Sequence, residues 1–272
     1  MTNIRIVYIN LSGRTERHDA FLRNNRAELD ASGFPWRRVE GVDGRELAIS
    51  TTIEALTARG IIAPEGLPAG YEPHTWGHLG CAMAHRSAWE EAAGGNDDDV
   101  LVILEDDGQV GPRFGARLRR VLELAANRAE WDVVHLGFNP DAVLRIRLEW
   151  PRMDLRLACE IGGRPVAVGE PFPVSWPDDA SGDELVIARV LDLRGLCGYA
   201  VTARGARRLL GTCFPLTATS IDGTINRKLQ EGLLTTLIAL PPLVMSANDH
   251  TLSDTAPSPA SRYNEFIPPA SR

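Results

Sequence analysis

Lysine is nearly missing from this chain: Lys228 is the only one, and arginine supplies every other basic residue. Arginine's planar fork suits diphosphates, but in an alanine-rich chain the skew reads as codon bias and carries no function alone. Basic charge is also outweighed. With 29 Lys and Arg against 36 Asp and Glu the formal net charge is -7, which argues against nucleic acid as a main partner, since phosphate binding needs a basic surface. A small anion held by a few arginines is not excluded. Cysteine is scarce too, and Cys81, Cys159, Cys197 and Cys213 show no C-x-x-C spacing. A metal cluster is therefore not expected, and they read as reduced, mostly buried thiols of a cytoplasmic protein. No apolar run reaches membrane-spanning length, and the chain enters a strand pattern without the features of a secretion signal. Gly-x-Gly-x-x-Gly and Walker sequences are absent, so neither a dinucleotide fold nor a P-loop is supported.

What is present is an ordinary globular composition, 44% hydrophobic and 24% charged over 272 residues. That suits one large α/β domain or a domain with an appendage. The chain is organised around Val100-Leu101-Val102-Ile103-Leu104-Glu105-Asp106-Asp107-Gly108. An unbroken run of β-branched and leucine residues reads as a strand buried on both faces, the middle of a parallel sheet flanked by helices. In open α/β sheets ligands sit at the carboxyl ends of strands. Acids crowded there repel one another, and a divalent cation between them relieves that cost. The bland alternative is a solvated turn in which Gly108 supplies a positive φ.

Around this stretch strand and helix patterns alternate. Ile4 to Ile9 predicts a first strand, and Asn10-Leu11-Ser12-Gly13-Arg14-Thr15-Glu16-Arg17 a polar turn entering a helix that buries Phe21, Leu22 and Leu29. Such a loop can offer backbone N–H groups, with Arg14 and Arg17, to an anionic ligand. Trp36 to Val39 predicts the next strand, closing on a turn whose Asp43 could reach a ribose or base. Residues 45 to 75 are weakly patterned: Ile53 and Leu56 hint at a short helix, and Gly60 to Pro73 reads as a long functional loop. A helix beginning at Gly77 sets Leu79, Ala82, Met83, Trp89 and Ala93 near one face and stops at Gly94-Gly95-Asn96. Its His78 and His85 are seven apart, not the i, i+4 spacing of a helical zinc pair, and read as packed or capping histidines.

Residues 112 to 130 predict an amphipathic helix on Phe114, Leu118, Val121, Leu122 and Ala125, and Trp131 to Leu136 a strand. This repetition favours a doubly wound α/β domain across the first half. Residues 140 to 195, dense in proline and acid, predict a β-rich or irregular insertion over the site, in which Trp176 and its neighbours could meet an acceptor. Leu196 to Thr202 predicts a strand, Ala203 to Leu210 a short helix, and Thr219-Ser220-Ile221-Asp222 the start of another, with Asp222 as its N-cap or as a site residue. Leu233 to Leu240 and Leu243 to Met245 predict late strands. One domain is expected over 1–254, with a Pro/Ser-rich tail at 255–272.

Several pieces, in this order and spacing, resemble the family 25 glycosyltransferases, the group containing bacterial lipooligosaccharide galactosyltransferases and the collagen galactosyltransferases. They are Ile9-Asn10-Leu11 with Arg14 and Arg17; Gly77-x-x-Gly80-Cys81 with His85 and Trp89; Leu104-Glu105-Asp106-Asp107; Gly198-Tyr199 with Gly205-Ala206 and Leu209; Asp222; and Ser253-Asp254. The chain departs from the family pattern at His78, where a glutamate is usual, and at Ala84, where a serine is usual. Both lie near the presumed donor site, so the donor sugar could differ from galactose.

The resemblance implies a GT-A type fold, a mostly parallel nucleotide-sugar-binding sheet flanked by helices. It also implies inverting, Mn2+- or Mg2+-assisted transfer of a sugar, galactose first, from a UDP-sugar to a hydroxyl of a glycan, peptide or small molecule. Nucleotide-sugar contacts would fall on Asn10, Leu11, Arg14, Arg17, Asp43, Gly80, His85, Glu105 and Asp106; metal contacts on Asp106, Asp107 and His250. Oxygen donors suit either metal. Inversion needs a carboxylate opposite the leaving group, and Asp222 is the candidate base. Two other readings stand: a metal-dependent phosphotransferase or hydrolase acting on a nucleotide-type substrate, and a catalytically silent nucleotide-sugar-binding protein.

Overall fold

The structure, a computed structural model, describes residues 2–64, 76–127, 130–137, 185–189, 195–217 and 220–246. Apolar runs become strands and the 3.6-period runs become helices. In chain order they are β1 (Ile4–Asn10), α1 (Thr15–Ser32), β2 (Trp36–Glu40), α2 (Gly44–Ser50), α3 (Ile53–Ala58), α4 (Trp76–Ala93), β3 (Val100–Glu105), β4 (Gly108–Val110) and α5 (Phe114–Ala126). β5 (Val133–His135), β6 (Val186–Arg189), β7 (Gly198–Thr202), α6 (Ala203–Cys213), α7 (Ile221–Gln230), β8 (Thr236–Leu240) and β9 (Val244–Ser246) follow.

A seven-stranded sheet has the order β2-β1-β3-β7-β5-β8-β6. β1, β2, β3, β5 and β8 run one way, and β7 and β6 the other. This mostly parallel sheet between helices is the expected class and is consistent with a GT-A type fold. One feature departs from a simple alternation: β7, from far along the chain, is wedged antiparallel between β3 and β5. Local periodicity reports that a strand exists, not which strand it pairs with.

The two-residue period of β3 sorts its side chains between two cores. Leu101 and Ile103 join Val7, Val133, Tyr199 and Val201 under α4, α6 and α7. Val100, Val102 and Leu104 join Ile6, Tyr8, Phe21, Phe114 and Leu118 under α1 and α5. The same period sends Glu105 toward α4.

Three expectations are revised. Residues 45 to 75 hold the short helix expected on Ile53 and Leu56, α3, and one that was not expected, α2; their N-termini are capped by Thr52, accepting from Ala55 N, and Asp43, accepting from Arg45 N. Helices this short present too few turns for a periodic stripe; most of the Gly60 to Pro73 loop lies outside the described residues. Inside the expected 140–195 insertion, β6 pairs with β8 as an edge strand of the central sheet, because its Ile187 belongs in the α1/α5 core. The rest of that segment, Trp176 included, lies outside the described residues, as do Cys159, Ser253 and Asp254.

The third revision concerns Gly108, which has no positive φ. It opens β4, which pairs with β9, and a Cβ there would lie 2.6 Å from the Cys197 carbonyl oxygen. Glycine is needed for close approach rather than for a turn conformation. From the other side Asn25, buried on α1, donates to Gly108 O at 2.9 Å and accepts from Val110 N at 2.7 Å. The turn carrying Asp106 and Asp107 is thereby clamped between β9 and α1. Among the described residues, no helix is long and apolar enough to cross a membrane.

Candidate active site

At the carboxyl ends of β1 and β3 lies a cleft of about 170 Å³, lined among others by Asn10, Leu11, Arg17, Gly80, Cys81, His85, Glu105, Asp106 and Asp107. Gly80 lets α4 lean on the turn before α2, since a Cβ there would come 2.3 Å from the Val42 carbonyl oxygen. Arg14 and Asp43 are placed at its margin rather than in its lining. Arg14 occupies the N-cap position of α1 and pairs with Glu16 at 3.3 Å, while Asp43 caps α2.

Each of the three acids is answered differently. Asp106 Oδ2 accepts from Asn10 Nδ2 at 2.8 Å, and Oδ1 pairs with Arg17. Burial pushes the Asp106 carboxyl up, with Arg17 and the Asn10 hydrogen bond pulling it back. Asp107 Oδ2 accepts from Ser246 Oγ at 3.0 Å, whereas its Oδ1 is buried with no hydrogen-bond partner among the described residues. Glu105 Oε1 meets His85 Nε2 at 3.1 Å.

Behind His85 runs a buried chain. Trp89 Nε1 donates to Tyr199 Oη at 2.8 Å, and Tyr199 Oη meets His85 Nδ1 at 2.8 Å. With its oxygen accepting from Trp89, Tyr199 turns its own proton to Nδ1, and Nε2–H is left to donate to Glu105. Burial raises the Glu105 carboxyl, and the His85 hydrogen bond opposes it.

A second pocket of about 220 Å³ shares Cys81 and Glu105 with the first and adds His78, Gly195, Ser220 and Asp222. Asp222 Oδ2 accepts from Gly195 N at 3.1 Å and Oδ1 from Gly223 N at 2.8 Å. The N-cap of α7 is Ser220, whose side chain accepts from Gly223 N, so the capping role considered for Asp222 is filled two residues earlier. Burial lowers the His78 pKa, and the Asp222 charge works against it.

The fold thus brings Asn10, Leu11, Arg17, Gly80, His85, Glu105, Asp106 and Asp107 together around one cleft and sets Asp222 across Glu105 from it. His250 lies outside the described residues. Sequence reasoning left out Tyr199, Asn25 and Ser246 as contributors. It also left out the pairing of Cys81 with His85, which are i, i+4 on α4; that spacing was the available signal. Ligand atoms of Cys81, His85 and Glu105 all lie within 4.8 Å of one another, an arrangement compatible with a metal ion.

The family profile described as Glycosyltransferase family 25 (LPS biosynthesis protein) matches residues 4–225. The chain belongs to glycosyltransferase family 25. It is 34% identical over 135 residues to a protein of Aedes aegypti named Glycosyltransferase 25 family member, covering 48% of this chain and 21% of that protein. It is 33% identical over 138 residues to Inactive glycosyltransferase 25 family member 3 of Homo sapiens, covering 48% and 21%. It is 28% identical over 189 residues to Procollagen galactosyltransferase 2 of Mus musculus, covering 64% and 29%. The alignments span less than a third of those relatives' length. Family 25 therefore contains proteins named for transfer and proteins named inactive. Asp107 and Asp222 fall within the matched span; β9 and Ser246 lie beyond it.

Proposed function

We propose that this family 25 member is a metal-dependent inverting glycosyltransferase that moves a sugar, galactose first among candidates, from a UDP-sugar to an acceptor hydroxyl. The observation that carries the reading is Asp107 Oδ1, a buried carboxylate oxygen at the carboxyl end of the central strand, without a donor among the described residues. Such an atom is costly unless something cationic meets it. Carboxylate oxygens suit Mn2+ or Mg2+, with Asp107 and Asp106 as holders and His250 as a further, nitrogen-donor candidate. When bound, the ion neutralises charge on the departing diphosphate.

The chain's own residues supply the rest. Arg17 and Asn10 fix Asp106, and Leu11, Arg14, Asp43 and Gly80 border the space for the nucleotide. Glu105 and His85 line the same cleft beside Asp106. Asp222, aimed by two backbone N–H groups, retains lone pairs for the acceptor hydroxyl. It takes that proton as the oxygen attacks the anomeric carbon, and UDP leaves with the bonding pair on the opposite face. The free thiols Cys81, Cys197 and Cys213 fit a reducing compartment, which supports the cytoplasm.

Incubation with UDP-galactose and Mn2+ tests the reading. Slow UDP release without acceptor, accelerated by a hydroxyl-bearing acceptor from a glycan, peptide and small-molecule panel, is the expected result. Cleavage within the diphosphate would point to a phosphohydrolase. Relatives named inactive keep one competitor in play, a silent binder, for which tight UDP-sugar binding without release of UDP across a donor panel would be decisive.

A further inference from the structure

We infer that Cys81, His85 and Glu105 form a binding site for Zn2+ in the wall between the two pockets, distinct from the oxygen donors of Asp106 and Asp107. Cys81 and His85 stand one turn apart on α4, and the end of β3 brings Glu105 against them, all three ligand atoms lying within 4.8 Å of one another. The His85 Nε2 to Glu105 Oε1 separation of 3.1 Å is close to the roughly 3.3 Å edge that two metal bonds of about 2.0 Å subtend in a tetrahedron. Cys81 Sγ needs to draw inward by at most about 1.3 Å to complete the set, given zinc–sulfur bonds of about 2.3 Å.

The surroundings are those of a held ligand. Tyr199 Oη, itself fixed by Trp89, meets His85 Nδ1 at 2.8 Å and locks the ring with Nε2 turned to Glu105. A second partner on the far ring nitrogen is the usual companion of a metal-binding histidine. On ligation the imidazole proton moves from Nε2 to Nδ1, the Tyr199 O–H rotates off that line so that Oη accepts it, and the thiol proton leaves to solvent. Cys81 and Glu105 border both pockets, so the fourth position opens to a cavity. A thiolate, imidazole and carboxylate set selects zinc over the hard ions that an all-oxygen site takes.

The site is read without donor or acceptor, so its failure and that of the transferase reading are separate. Titration of the metal-free full chain with Co2+, a spectroscopic stand-in for zinc, should give a thiolate-to-cobalt charge-transfer band that saturates at one equivalent and is displaced by Zn2+. Cys81→Ser should abolish the band, Tyr199→Phe should weaken binding by about 10-fold, and Cys159→Ser, Cys197→Ser, Cys213→Ser and Asp107→Asn should retain it. A wild-type protein without the band, or a band that survives Cys81→Ser, overturns the inference. Should Cys81→Ser not fold, alkylation of the wild type read by peptide mass decides. Stoichiometric Zn2+ should protect Cys81, and equal labelling with and without zinc contradicts the site.

Discussion

Asp107 and Asp222 stand on opposite sides of Glu105 and are met by different partners. Asp222 receives two backbone N–H groups, from Gly195 and Gly223. Asp107 receives one side-chain hydroxyl and keeps a buried oxygen with no hydrogen-bond partner among the described residues. Amide donors on a helix turn and a loop are fixed in place, so they set the direction of the Asp222 carboxylate, as the proposed base requires. An unanswered buried oxygen calls for a cation. In the proposed mechanism the same side chain serves as base on one side and ion ligand on the other, and the difference lies in the donors rather than in the acid.

The sharpest way to break this contrast is Asp222→Asn. Transfer should fall by on the order of 10²–10⁴-fold, the usual share of a general base, while UDP affinity with Mn2+ changes little. Comparable losses in both would place Asp222 with the donor instead. Next in size is Asn25→Leu, which strands the Gly108 carbonyl and the Val110 N–H in the core. It should cost about 2–4 kcal/mol in urea denaturation and weaken Mn2+-dependent UDP binding, since the turn holding Asp107 loses its clamp. An unchanged midpoint contradicts the clamp.

His135 extends the comparison to a base without partners. Both its ring nitrogens lack hydrogen bonds among the described residues, and burial pushes its pKa down to about 3, against the Asp222 charge. Between that value and the ordinary 6.5 the unfolded chain takes up a proton that the folded chain refuses, so stability falls as pH drops through this window. The slope approaches about 1.4 kcal/mol per pH unit. His135→Leu should flatten it, and equal slopes would show that another group governs acid unfolding. Smallest is Ser246→Ala, which removes the hydroxyl from Asp107 Oδ2 and should weaken Mn2+-dependent UDP binding by about 5-fold, near 1 kcal/mol. No change would show that β9 does not tune Asp107.

Much of this was legible in residue pattern. The unbroken run of Val100 to Leu104 made a central strand, and the abrupt acids marked its carboxyl end; which helix covers the face that Glu105 shares shows only in the structure. The position of β7 between β3 and β5 was not, because the pairing of Ile103 with Tyr199 is set by tertiary packing, which no window spans. Asn25 and Ser246 were hidden for a related reason. A single polar residue in a helix or strand looks like surface until the buried backbone group it satisfies is known. Asp222 was legible as an acid near a helix start; that Ser220 caps α7 shows only in the hydrogen bond to Gly223 N.

Asp107 is the residue proposed to make nucleotide binding depend on metal. Thermal unfolding of wild type and Asp107→Asn with saturating UDP, with and without Mn2+, tests it directly. For the wild type, UDP at about 100 times its Kd should add about 2.7 kcal/mol only when Mn2+ is present. In Asp107→Asn the Mn2+ increment should vanish while the unliganded midpoint holds. An undiminished Mn2+ increment in that variant would contradict the assignment.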